Sequence, residues 1–179
     1  MKQIFFNLTL ALGTGAFADD LAQFGTTNPD EMTINRVLEN AQSGQVDMTT
    51  CAAGYMLTKS GRHSPARTVF EACANSGYTA AMTWMSYMDS NGFGGEYDPD
   101  RAANWDRRAA ELGDPVGKFN YGLDLMRGHG VAQNVDLGRQ WVDQAAEDGL
   151  KIAQRLVSAD YDLDEVTPDA DNWRYAPMF

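Results

Sequence analysis

The 179-residue sequence predicts an all-α fold of stacked helical hairpins. Two observations carry that prediction. First, residues 78–113 align with 114–149 without a gap. The identities fall at Gly92/Gly128, Gly94/Gly130, Asp100/Asp136, Trp105/Trp141, Ala109/Ala145, Ala110/Ala146, Glu111/Glu147 and Gly113/Gly149. A fixed period of this length marks supersecondary units that cannot bury their apolar faces alone and do so by stacking. Second, each unit is punctuated as two helices. Phe119, Leu123 and Met126 follow i, i+4, i+7 spacing up to Gly128, a left-handed C-cap candidate. The second half starts near Asn134, runs through Trp141 and Ala145, and stops at Gly149.

In chain order, residues 1–18, "MKQIFFNLTLALGTGAFA", read as a secretory signal peptide. One cation, Lys2, precedes a mostly apolar run from Ile4 to Leu12, and Ala16-Phe17-Ala18 has the small-x-small form of a cleavage site. The run is far shorter than the ~20 residues a membrane span needs. A buried first helix is the alternative reading. Residues 19–46 are expected to form an N-terminal capping helix, with Asn28 as N-cap, Pro29 at the first helical position and an end near Gly44. Residues 47–77 are a degenerate unit. It ends at Gly77, 36 before Gly113, and Gly54 and Ala66 match Gly122 and Gly138, so four residues are missing from its inner turn.

The unit 78–113 has the clearest helix start. Asp98 can accept the open N–H groups of a first turn, and Pro99 suits a position whose N–H has no intrahelical partner. Its Ala-Ala pair, like that of 114–149, lets two helix backbones approach closely. Trp105 and Trp141 then read as packing residues. Residues 150–179 comprise "LKIAQRLVSADYDL", a first helix without a mate, and an aperiodic tail. The tail aromatics Trp173, Tyr175 and Phe179 are placed to cover the last open helix face, as capping segments do.

The stretch "YGLDLMRGHGVAQNVDLGRQWVDQAAEDG", Tyr121 to Gly149, resembles the Sel1-like repeat family, relatives of tetratricopeptide repeats. That pattern runs Leu-Gly, Gly-x-Gly-Val, Asp, Ala, an aromatic, Ala-Ala and Gly. The unit before it keeps Gly92, Gly94, Asp98, Ala102, Trp105, Ala109, Ala110 and Gly113, replaces the valine with Gly95 and puts Asp89 in a usually aromatic column. The resemblance covers about 50–149. It implies an α/α solenoid that scaffolds protein–protein contacts. It also implies, as in some exported members, a disulfide joining the two helices of one repeat, here Cys51 and Cys73. Export by itself makes that pair a disulfide by default, since these are the sole cysteines; two buried thiols are the alternative.

Charge narrows the partner. Against 25 Asp plus Glu stand 14 Lys plus Arg, a formal charge of -11. Nucleic acid and anionic membrane surfaces both call for cationic partners. No membrane insertion is expected. Two cysteines and two isolated histidines make no zinc signature. Asp160, Asp162 and Asp164 fit positions 1, 3 and 5 of a calcium loop, but Glu165 replaces the turn glycine and Asp171 the terminal glutamate. No metal or cofactor is expected. Serine-hydrolase, Walker and dinucleotide motifs are absent, so the chain reads as a non-enzyme.

By analogy with helical solenoids, which present their first helices on the concave side, the binding row is Tyr55 and Lys59, then Thr83, Tyr87 and Asn91, then Phe119, Leu123 and Arg127. Each set follows i, i+4 spacing. Such a groove could hold a peptide; alternatively, Phe119 and Leu123 are core residues. The reading is a monomeric, periplasmic or secreted adaptor for another protein or peptide. The alternative is an envelope enzyme or cell-wall-ligand binder using the same groove. A catalytic cleft should gather groups with perturbed pKa values; a binding groove need not.

Overall fold

A computed structural model describes residues 33–166 of the chain. Among them run eight α-helices: α1 Ile34–Gln42, α2 Met48–Lys59, α3 His63–Asn75, α4 Thr79–Asn91, α5 Pro99–Glu111, α6 Pro115–Arg127, α7 Val135–Glu147 and α8 Lys151–Ser158. A short 3-10 turn, Leu163–Glu165, follows. The expected signal peptide at 1–18, the expected helix start at Asn28 and Pro29, Asp171 and the aromatics Trp173, Tyr175 and Phe179 lie outside the described residues.

The helices pack in sequence order as the hairpins α2/α3, α4/α5 and α6/α7, with α8 against α7. The chain is an α/α solenoid. α3, α5 and α7 begin and end at 36-residue intervals, as do α4 and α6. The 36-residue offset from Ala109 therefore holds at Cys73, and both are fully buried. Between α2 and α3 the connection is residues 60–62, where the later hairpins use 92–98 and 128–134. The Cys51–Cys73 disulfide closes this shortest hairpin, with Cα atoms 5.9 Å apart.

The starts and stops follow local chemistry. Asp47, Asp98 and Asn134 each accept the backbone N–H three residues on, from Thr50, Arg101 and Leu137. Asp114 caps α6 through the N–H groups of Val116 and Gly117, both at 2.9 Å, and also accepts the Thr79 hydroxyl at 2.7 Å. That last bond ties the start of α4 to the start of α6 across the repeat boundary. Gly92 and Gly128 close α4 and α6 in the left-handed region.

The second glycine of each Gly-x-Gly turn has a different role. A Cβ on Gly130 would stand 2.0 Å from the carbonyl oxygen of Pro99, and one on Gly94 would stand 2.7 Å from that of His63. Each turn thus rests on the first residue of the preceding repeat's second helix. Within a hairpin, α6 and α7 approach closest where Gly138 faces the Gly122 carbonyl; between hairpins, Gly117 of α6 lies on Ala109.

The apolar core has two clusters. One joins Leu57, Val69, Phe70, Met82, Met85, Met88 and Trp105. The other joins Phe119, Leu123, Met126, Val142, Ala145 and Leu156. Phe119 and Leu123 are therefore core residues, at 5% and 8% exposure, and not part of an accessible row. They pack in one cluster with Ala153 and Leu156 of α8 and with Val166.

The two tryptophans differ. Trp105 is buried, and the Arg108 guanidinium lies 4.3 Å from its ring centre. Trp141 is half-buried, against the edge of Tyr121 at 5.9 Å. Position 144, equivalent to Arg108, is an exposed glutamine, and among the described residues no cation stands over the second ring.

Candidate functional site

The remaining residues of the first-helix row divide by exposure. Tyr55 and Tyr87 are 44% and 46% exposed; Lys59, Asn91 and Arg127 are exposed; Thr83 is half-buried, with its hydroxyl donating to the Ala80 carbonyl. Tyr55 of α2 and Tyr87 of α4 are brought together by Trp84, which the row omitted. The Tyr55 and Trp84 ring centres are 5.4 Å apart at an interplanar angle of 67°, and those of Trp84 and Tyr87 are 5.5 Å apart at 89°. Phe93, in the turn after α4, continues the strip 5.6 Å from Tyr87, and His63 stacks on Phe93 at 4.5 Å. Beneath it, Phe70 stacks on Trp84 and fixes it to the core. Lys59 stands 5.5 Å from the Tyr55 ring centre. Edge-to-face contacts are the favoured geometry for aromatic pairs, so the strip is a fixed surface. Trp84 was legible three residues before Tyr87; Phe93 sits between two glycines, with no periodicity to mark it.

The opposite side carries a different structure. Asp89 has no exposure and receives the Nε and Nη2 of Arg101 and the Nη1 of Arg67, all at 2.7 Å. Burial pushes its carboxyl up, but hydrogen bonds from Arg101 and Arg67, with their charges, outweigh burial and hold it below the ordinary value. Arg67 also donates to the Phe93 carbonyl, at 3.2 Å. The acid in an aromatic column is thus the anchor of an ion-pair triad that braces the turn bearing Phe93. A cleft of about 350 Å³ lies above, lined by Arg67, Glu71, Met85, Gly95, Glu96, Arg101 and Trp105.

Asp89 raises the pKa of Arg101, which lines this cleft, chiefly through their hydrogen bond; a second set of titratable groups with shifted pKa values lies elsewhere. Asp106 is 3% exposed and accepts from Ser86 through a short contact and from Asn120 at 3.1 Å. Burial pushes it up to about 8, over the opposing effect of those bonds, and the charges of Asp124 and Asp114 add to the rise. Asp124 is raised to about 6 by burial, against the hydrogen bond and charge of His129 and the charge of Arg127. Burial lowers Arg127, while Asp124 opposes that. His129 Nδ1 lies 3.2 Å from Asp124, and its Nε2 lies 3.5 Å from the Tyr97 hydroxyl. Sequence spacing missed this carboxylate–imidazole–phenol series because its members come from two successive turns. None of these groups lines the 350 Å³ cleft. Asp106 is closed off by Ser86 and Asn120, which is the setting of a structural carboxyl.

No group of three or more metal-ligating side chains occurs among the described residues, and no helix there is long and apolar enough to cross a membrane.

Comparison with known proteins follows the same architecture. The family model of the Sel1 repeat matches residues 79–114 and 115–150. No curated protein matches the chain. Among solved structures, the chain is similar to a Sel1 repeat protein from Oxalobacter formigenes, at 24% identity over 70% of this chain and 97% of that one, with a TM-score of 0.59. It is also similar to cysteine rich protein B of Helicobacter pylori, at 18% identity over 74% and 98%, TM-score 0.56. A third likeness is to a protective antigen of uropathogenic Escherichia coli displaying an SLR fold, at 22% identity over 71% of this chain but 33% of the antigen, TM-score 0.50. At these identities the structures attest the fold. Repeats of this family commonly serve as non-catalytic scaffolds for protein contacts. The matched repeats coincide with α4/α5 and α6/α7, so the chain carries two Sel1 repeats within an α/α solenoid.

Proposed function

We propose that the chain is an exported, monomeric adaptor that binds another protein or a peptide through the first-helix face of its solenoid. In this reading residues 1–18 are removed, 47–77 form a degenerate first repeat and 150–179 cap the array. One observation carries the binding assignment: the strip Tyr55, Trp84, Tyr87 and Phe93, held on a packed scaffold with both tyrosines nearly half exposed. A few rigid aromatic side chains dominate most protein contacts. Phe119 and Leu123 drop out of the binding set. Tyr55, Lys59, Thr83, Tyr87, Asn91 and Arg127 remain, joined by Trp84 and Phe93.

Tyr55→Ala and Tyr87→Ala should each weaken binding of the natural partner, with helical circular dichroism and melting temperature near the parent's. Unchanged binding in both variants overturns the assignment. Export has its own support in the Cys51–Cys73 disulfide. Intact mass of the protein from the envelope should begin at Asp19; retention of residues 1–18 there overturns that part.

A further inference from the structure

The first-helix row has a charge unlike the rest of the chain. α2, α4, α6 and α8 hold five cations, Lys59, Lys118, Arg127, Lys151 and Arg155, and two acids, Asp89 and Asp124. Neither acid is available to a partner. Asp89 is fully buried between Arg67 and Arg101, and the Asp124 side chain is 14% exposed and holds His129. No exposed side chain on these four helices is acidic. The second helices expose five acids, Glu71, Asp100, Glu111, Asp136 and Glu147, against two arginines, Arg101 and Arg139, in a protein of formal charge -11.

One of the cations, Lys59, borders the aromatic strip at Tyr55, and Arg127 holds the equivalent place on α6. Lys59, Asn91 and Arg127 are the last residues of α2, α4 and α6, one turn beyond Tyr55, Tyr87 and Leu123. Lys118 is paired with Asp148 at 2.6 Å, whereas Lys59 and Arg127 form no salt bridge among the described residues. A helix C-terminus carries roughly half a negative charge, so Lys59 in the last turn leaves the α2 end net positive, whereas at the α6 end the charge of Asp124 offsets part of that of Arg127. The strip is thus an apolar surface edged by Lys59 and Asn91, with Arg127 at the equivalent end of the next first helix and the acids of these helices withdrawn.

We infer that the occupant of this face is an acidic peptide segment. An apolar or aromatic side chain of that segment seats against Tyr55, Trp84 and Tyr87, and its flanking carboxylates face Lys59 and Arg127. This rests on the reading of the strip as a binding face. A basic segment finds the strip's edge repulsive, and an acidic one finds the second-helix side repulsive, so charge selects both the partner and the side it meets.

The test uses the full disulfide-bonded chain, panned against a displayed library of random 12-residue peptides. Enriched peptides are synthesised with their acids intact and with each acid changed to its amide. Both forms are measured on the parent, Tyr87→Ala, Lys59→Glu and Arg127→Glu. The expected result is enrichment of acids around an apolar anchor, weaker binding of the amide form, and a loss of roughly fivefold for each reversed cation. Affinity should also fall with added salt, because exposed charges are screened. Neutral or basic peptides that depend on Tyr87, or acidic ones indifferent to both reversals, overturn this inference and leave the binding face standing. No enriched peptide, or peptides indifferent to Tyr87→Ala, overturns both.

Discussion

Asp106→Asn should flatten the pH dependence of stability near neutrality. Burial raises this carboxyl from its ordinary 3.8 to about 8. The folded state therefore keeps a proton that the unfolded state has released. Unfolding at pH 7 releases that proton, so raising the pH favours the unfolded chain. Stability from this group is fully present below about pH 4 and is lost as pH rises through the folded value. The slope for one proton is about 1.4 kcal/mol per pH unit. Asp124, raised to about 6, contributes with the same sign at lower pH. Asp89, lowered by its arginines, contributes with the opposite sign below the ordinary aspartate range. The interval from pH 6.5 to 7.5 therefore isolates Asp106 best. Asparagine is close in shape and cannot ionise, and it retains an acceptor and a donor for Ser86 and Asn120. Urea unfolding at a series of pH values, read by helical circular dichroism, gives the comparison. The stability difference between variant and parent should move in the variant's favour by about 1 kcal/mol across that interval. Parallel pH profiles in parent and variant would mean that Asp106 is already ionised at neutral pH, and the account of the α4–α5–α6 junction would be wrong.

Other perturbations test the stacking. Gly149→Ala meets nothing within 4 Å and carries backbone strain alone, about 1 kcal/mol; Gly130→Ala adds an overlap with the Pro99 carbonyl and should cost about 2 kcal/mol more, measured by chemical denaturation. Reducing Cys51–Cys73, which spans 22 residues, should lower stability by about 3 kcal/mol on the chain-entropy account, and alkylation without reductant should label neither cysteine. Trp105→Ala should cost about 3–5 kcal/mol as a cavity in the core. Trp141→Ala, from a half-buried site, should cost less, about 1–2 kcal/mol. Equal losses at the two tryptophans would contradict the difference in packing.

The scaffold was legible because its determinants are local. Asp98 and Asn134 cap the helices they precede, Gly92 and Gly128 end the helices they follow, and the Ala-Ala pairs lie where backbones approach. Periodicity could not say which member of a repeated column faces solvent. Tyr87 and Leu123 occupy the same place in α4 and α6, yet one is 46% exposed and the other 8%, because Leu123 shares a cluster with Leu156 of α8 and Val166. Trp105 and Trp141 diverge through a change outside the repeated column: Arg108 lies over the Trp105 ring, and the equivalent residue 144 is an exposed glutamine. The Asp89 triad and the Asp106 network stayed hidden in the sequence because their partners stand 12 to 22 residues away, on other helices.

The central claim is that the first-helix face, and not the second-helix face, receives the partner. The most direct measurement places a photo-crosslinking residue, one at a time, at exposed positions 55 and 87 and at exposed positions 71, 104 and 140 on α3, α5 and α7. Irradiation follows in cells expressing the full chain in its native compartment. The account predicts one discrete adduct of the same mass from positions 55 and 87, and none from the other three. An adduct confined to 71, 104 or 140 would contradict it.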